Sequence, residues 1–222
     1  MSAAFNGNQD AVRAQLNKGA SVDTVDEEGR TALMYAAAKG HPVIISLLLD
    51  AGANINRADL AGDTALHLAT QRGYTQAVRL LLSRSALIDA RNKQQFTTLM
   101  IAAAQGQPET VQVLLREHAD TAAVDAAGET ALMKAANDGN LNVVTLLANV
   151  KADINRRDKQ GRTALWYAAS RGHLEAAKLL LSNNADATAH DVHGITPLMR
   201  AALNGHSAVV EALINRDIDL DA

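Results

Sequence analysis

The stretch GRTALMYAAAKGH begins at Gly29 and returns as GRTALWYAASRGH at Gly161. The two starts lie 132 positions apart, four times 33, and the places between them are filled. GDTALHLATQRGY starts at Gly62, GETALMKAANDGN at Gly128 and GITPLMRAALNGH at Gly194, with a degenerate copy, QFTTLMIAAAQGQ, at Gln95. No insertion or deletion breaks the period of 33 residues across the six copies. A catalytic motif has no need to recur six times. A strict period of this length marks an architecture in which each unit packs on its neighbours.

The spacing inside a copy explains how it folds. The units begin at Asp26, Asp59, Asn92, Asp125, Asp158 and Asp191. An aspartate at such a turn bonds its own local backbone. A polar tip follows, with glycine at its fourth place in five copies and Gln95 in the other. Thr31, Thr64, Thr97, Thr130, Thr163 and Thr196 come next. Each hydroxyl can accept an N–H from the first turn of the helix that follows, and Pro197 suits that first turn because it has no N–H to satisfy. An alanine-rich helix such as ALMYAAA from Ala32 then stops at Gly40, Gly73, Gly106, Gly139, Gly172 or Gly205, where glycine adopts the left-handed conformation at no Cβ cost. A second helix follows, for example VIISLLLDA from Val43, with apolar residues at helical spacing. Helices of about two turns do not persist alone in water, so stacking is obligatory. The helix stops, the tips and the places after the second helix (Gly19 and Gly52) account for all 14 glycines. None remains to build a phosphate-cradling loop.

The pattern resembles the ankyrin repeat, whose signature is T-P-L-H-x-A. Here it reads TALMYA, TALHLA, TTLMIA, TALMKA, TALWYA and TPLMRA. Alanine mostly replaces the proline, and methionine the histidine. Residues 1–25 match the later part of a unit, with Ala4, Gly7, Val12, Leu16, Gly19 and Ala20 in register. The resemblance implies an all-α ankyrin-repeat solenoid of stacked helix-turn-helix units with short β-turn tips. Residues 1–25 would form a partial N-terminal capping repeat. Six repeats would follow at 26–58, 59–91, 92–124, 125–157, 158–190 and 191–222, in one continuous domain. It also implies a curved stack whose tips and first helices form a concave recognition surface, and hence a non-enzymatic scaffold for another protein. The alternative is an ankyrin segment regulating an attached enzyme, channel or receptor domain in a longer chain.

Composition agrees. Hydrophobic residues make up 48% of the 222, too many for a disordered tail. A net charge of −3 is not a nucleic-acid footprint. There is no cysteine, which removes disulfides and thiolate chemistry. No apolar run approaches the length of a membrane span, and MSAAFNGNQD has no basic n-region of a signal peptide. A cytoplasmic, monomeric protein without cofactor or metal, and without nucleic-acid or membrane partners, is expected.

The ionisable residues offer little chemistry. His41, His173 and His206 share one place and His67 another, where bonds between repeats are expected. His190 and His193 lie close but lack the further ligands a metal needs. Met34, Met100, Met133 and Met199 share one place, as adaptable packing rather than a soft-metal ladder. The turn aspartates are repeated, which a catalytic pair would not be. Subtracting repeated residues leaves variable ones on the tips and on the outward side of the first helices, Leu60 and Val192 among them. Tyrosine, tryptophan and arginine dominate binding hot spots, and exposed apolar tips signal packing or a partner. The candidate partner-binding residues are Arg30, Tyr35, Arg72, Phe96, Ile101, Lys134, Arg162, Trp166, Tyr167, Arg171, Ile195 and Arg200. Charge is uneven: Asp26, Glu27 and Glu28 make the first tip acidic, and Arg156, Arg157, Lys159, Arg162 and Arg171 make the fifth unit basic. Both ends read as minimally capped, so a piece of a longer protein is expected.

Overall fold

A computed structural model describes residues 1–215. The end of the sixth unit, 216–222, lies outside the described residues. The helices come in pairs. They are α1 (Ser2–Phe5) and α2 (Gln9–Asn17), α3 (Ala32–Ala38) and α4 (Pro42–Asp50), α5 (Ala65–Gln71) and α6 (Thr75–Ser83), and α7 (Thr98–Ala104) and α8 (Pro108–Arg116). Then follow α9 (Ala131–Asn137) and α10 (Leu141–Asn149), α11 (Ala164–Arg171) and α12 (Leu174–Ser182), and α13 (Pro197–Leu203) and α14 (Ser207–Ile214). An isolated antiparallel bridge joins Ala58 to Thr64 at one tip.

From α3 onward, each first helix begins as its threonine dictates. The hydroxyls of Thr31, Thr130, Thr163 and Thr196 accept the N–H groups of Met34, Met133, Trp166 and Met199 at 3.2–3.3 Å. The shared methionine place has a role here: the N–H groups of Thr31 and Thr130 donate to the sulfurs of Met34 and Met133 at 3.5 and 3.4 Å. In α5, His67 Nδ1 takes the equivalent N–H of Thr64 at 3.3 Å.

Each first helix ends as its glycine dictates, and the next unit helps. Gly139 has φ +70°, and a Cβ there would come within 2.6 Å of the His173 ring. His173 Nε2 lies 3.0 Å from the Asn137 carbonyl at the end of α9. His41 and His206 bond Phe5 O and Ser170 O from the same place, and Asn140 donates to Ala103 O and Ala104 O. One residue thus satisfies the orphan carbonyls of the preceding unit, and its side chain occupies the space that a missing Cβ leaves open.

The chain divides into two compact units: Met1–Ala102 with Gln112–Ala119, and Ala103–Val111 with the described residues from Asp120 onward. In the first, α1, α3 and α5 pack in one row and α2, α4 and α6 in another. In the second, the rows are α9, α11, α13 and α10, α12, α14. Leu33, Leu66, Leu99, Leu132 and Leu165 are buried at one place of the period, and Ala36, Ala69, Ala102, Ala135, Ala168 and Ala201 at another. Small residues there let helices approach, and the leucines fill the space between. Neighbouring tips are stitched together. Leu60 N–H donates to Glu28 O and Lys93 N–H to Ala61 O in the first unit; Lys159 N–H donates to Ala127 O and Val192 N–H to Gln160 O in the second.

Candidate functional site

The variable residues are best placed from the turn aspartate outward. One oxygen of each is fully used by its tip. Asp26 Oδ1 accepts the N–H groups of Glu28 and Arg30, Asp59 those of Ala61 and Asp63, and Asp125 those of Ala127 and Glu129. Asp158 and Asp191 repeat this with Gln160 and Arg162, and with His193 and Ile195. In Asp59, Asp125, Asp158 and Asp191, which are buried, the other oxygen needs a partner of its own, and the half-buried Asp26 finds one too.

That need absorbs half of the candidates. Tyr35 hydroxyl donates to Asp26 Oδ2 at 2.6 Å. Arg30 Nε–H reaches Asp59 Oδ2 at 3.2 Å. Lys134 Nζ lies 2.7 Å from Asp125 Oδ2. Asp158 Oδ2 accepts from Tyr167 hydroxyl and Arg162 Nε, both at 2.8 Å. Arg200 Nη2 stands 3.8 Å from Asp191 Oδ2. Tyr35, Lys134, Tyr167 and Arg200 occupy one register place, so this bracing pattern is periodic although the residues differ. The third unit solves the problem with an amide: Asn92 Oδ1 accepts the tip N–H groups of Gln94 and Phe96, and Nδ2 donates to Asp63 Oδ1 at 2.9 Å.

In the second unit the braces merge. Glu129 takes the Lys134 ammonium and the Tyr167 hydroxyl in short contacts and meets Arg162 Nη2 at 3.5 Å. Burial, reinforced by hydrogen bonds to Glu129 and Asp158, pushes the Tyr167 phenol far above its ordinary pKa. Burial works against the Lys134 charge, but bonds to Asp125 and Glu129 outweigh it and raise its pKa. The Tyr35 hydroxyl holds Asp26 below the usual carboxylate range. Burial opposes the Asp191 charge, yet the N–H groups of Ile195 and His193 bring its pKa down.

Two candidates expected on the outward side, Ile101 and Tyr167, prove buried, and so does Trp166 at the shared methionine place. Ile101 is 6% exposed, and Trp166 and Tyr167 are 7% each. A large apolar side chain at these places folds onto its neighbours instead of facing water. Tyr167 lies edge-on to Trp166, with ring centroids 5.5 Å apart, and under the Arg162 guanidinium. Trp166 takes over the task of His67. Its Nε1–H donates to Ile195 O at 3.2 Å, as His67 Nε2 meets Phe96 O at 3.1 Å from the same register place. Arg200 covers its ring at 4.7 Å. Phe96 and Ile195 are half-buried, with their carbonyls so engaged. Arg72 and Arg171 stand exposed as expected, and Arg171 Nε–H bonds Asn137 Oδ1 at 3.2 Å. Phe5 was not foreseen. It is 42% exposed, edge-on to Tyr35 and beneath Lys39 Nζ, 4.2 Å from the ring centre. Only its sequence register, opposite Tyr35 in the next unit, could have indicated this.

The profile of the family described as ankyrin repeats (3 copies) matches residues 1–94, 99–191 and 152–222. The chain belongs to the ankyrin-repeat family. Among curated proteins none matches. Among solved structures, the ankyrin repeat domain of Bcl-3, described as a unique member of the IkappaB protein family, is similar. The identity is 32%, 96% of each chain is covered and the TM-score is 0.82. The fold is an all-α ankyrin-repeat solenoid, and ankyrin-repeat domains are generally non-catalytic interaction modules. Among the described residues no group of three or more histidines or acids could hold a metal ion, and no helix is long and apolar enough to cross a membrane. A groove of about 920 Å³ between α12 and α14 is lined by none of the sequence candidates.

Proposed function

We propose that this chain is a non-enzymatic scaffold that binds another protein through its tips and the adjoining sides of its first helices. The supporting observation is what remains once the bracing residues are set aside. Leu60 and Val192, at one tip place in different units, are 63% and 62% exposed. Leu60 covers no core, and the same place holds Glu27, Lys93 and Lys159 elsewhere, so packing does not demand an apolar side chain there. Exposed apolar residues rimmed by charge are what interfaces use. The exposed Arg72 and Arg171 share another register place, at the C-terminal ends of the first helices α5 and α11. Trp166, Tyr167 and Ile101 then serve from behind, by fixing the backbone on which the exposed residues stand.

Affinity capture with the full chain as bait, read by mass spectrometry, tests this. Leu60→Asp with Arg72→Glu, and separately Val192→Asp with Arg171→Glu, should leave the melting temperature within a few degrees. At least one pair should lose most of the captured partner. Capture unchanged in both pairs overturns the reading.

A further inference from the structure

We infer that the tips of the fourth, fifth and sixth repeats form a docking edge for an acidic, extended segment of a partner protein, held by Arg156, Arg157 and Lys159. This rests on the scaffold reading and names the partner's chemistry.

The three tips form one hydrogen-bonded ribbon through Lys159 N–H to Ala127 O at 3.1 Å and Val192 N–H to Gln160 O at 2.9 Å. Two of the three cations on it are held by neutral groups. Lys159 Nζ donates to Ala126 O of the preceding tip at 2.7 Å. Arg157 donates from Nε to Gly161 O at 3.1 Å, and from Nη2 to His190 O of the following tip in a shorter contact. Carbonyls orient these side chains without cancelling their charge. Their rotamer freedom is already reduced before a ligand arrives, so binding loses less of it. All three cations are exposed.

The acids of the same ribbon do not offset them at the surface. Asp125, Asp158 and Asp191 are buried and turned inward to their tip N–H groups. Glu129 is occupied by Lys134 and Arg162. Asp153, the exposed carboxylate nearest to Arg156 in sequence, keeps its charge while accepting the N–H of Asn155, and offsets only part of the three cations. Arg162 and Arg200, by contrast, face carboxylates and add little to the edge.

Lys159 leans toward the fourth tip and Arg157 toward the sixth. Helices pack about 8–10 Å apart and an extended polyproline II chain advances about 3.1 Å per residue with three residues per turn, so a ligand crosses one repeat in about three residues and presents every third side chain on one face. Carboxylates spaced in multiples of three would therefore meet successive cations, with the exposed Val192 available for an apolar contact. A nucleic acid fits less well. The only aromatic residues of this unit, Trp166 and Tyr167, are buried and offer no stacking face, and the net charge is −3.

The probe is a twelve-residue peptide of serine and glycine with aspartate at every third position, and the same peptide with asparagine in place of aspartate. Binding to the full chain is followed by fluorescence anisotropy at low and high salt. The aspartate peptide should bind, weaken with salt, and exceed the asparagine peptide by about tenfold or more. Arg156→Glu with Lys159→Glu should lose that advantage. Arg13→Glu, an exposed charge on α2 in the other unit, should keep it. If the double variant melts early, Arg156→Gln alone should show a smaller loss in the same direction. Equal binding of the two peptides, or of wild type and double variant, overturns the proposal. So does a single-stranded oligonucleotide of equal charge that binds more tightly and responds to the same variants. A captured partner indifferent to the double variant overturns the docking edge and leaves the scaffold standing. Failure to capture any partner counts against the scaffold alone.

Discussion

The turn carboxylates connect single residues to the rest of the molecule. Asp26 depends on Tyr35: its folded pKa lies below the ordinary value, chiefly through the Tyr35 hydroxyl. Such a carboxylate adds stability above its unfolded pKa of about 4 and loses it as pH falls through the folded value. Tyr35→Phe should move the Asp26 pKa up toward the ordinary value, read by NMR titration of its carboxyl carbon; an unmoved pKa would show that the hydroxyl is idle. Asn92 shows why one unit lacks the aspartate. Its Nδ2 faces Asp63 Oδ1, so Asn92→Asp sets two buried carboxylates together. A loss of about 1–3 kcal/mol at neutral pH is expected in urea unfolding, recovered in part under acid as one carboxyl protonates. Backbone strain is equally local. Ser85, His118, Lys151 and Asn184 have φ of +59° to +67°, at the place where Gly19 and Gly52 stand, and Gln95 has φ +65° where five tips have glycine. A left-handed residue with a Cβ costs about 1–2 kcal/mol. Lys151→Gly should stabilise by up to about 1 kcal/mol in the same assay, and Asn184→Gly by less, since asparagine tolerates this conformation.

At the scale of helices, the pattern is a leucine inward, two alanines beneath the neighbour, a threonine to start and a glycine to stop. Leu66→Ala should cost about 2–5 kcal/mol through the cavity it leaves between α5 and its neighbours, measured by thermal or urea unfolding. These features were legible in the sequence because each acts within one turn of its own helix and recurs every 33 residues. Tyr167 was not legible. Its register place faces outward, but its surroundings are set by Glu129, 38 residues earlier, and by Arg162 and Trp166. The part Lys134 and Arg162 play in the fold was hidden for the same reason: residue type gives no sign that the buried second oxygen of a turn aspartate engages them. Leu60 is a variable tip residue in the sequence, but only the structure shows that it stands 63% exposed.

For the whole molecule, function is left to residues without a packing or bracing duty. A net charge of −3 is spread over many exposed acids, whereas the exposed Arg156, Arg157 and Lys159 cluster at the fifth tip. Long-range attraction of a partner would therefore act mainly there, and the apolar tip residues would add short-range contact. The most direct measurement is amide hydrogen exchange of the full chain with and without its captured partner. Protection on binding is expected at the tips around Leu60 or around Lys159 and Val192, and in the adjoining first helices, with exchange in α4, α6, α10 and α12 unchanged. Protection confined to those second helices, with the tips exchanging as in the free protein, would contradict docking at the tips.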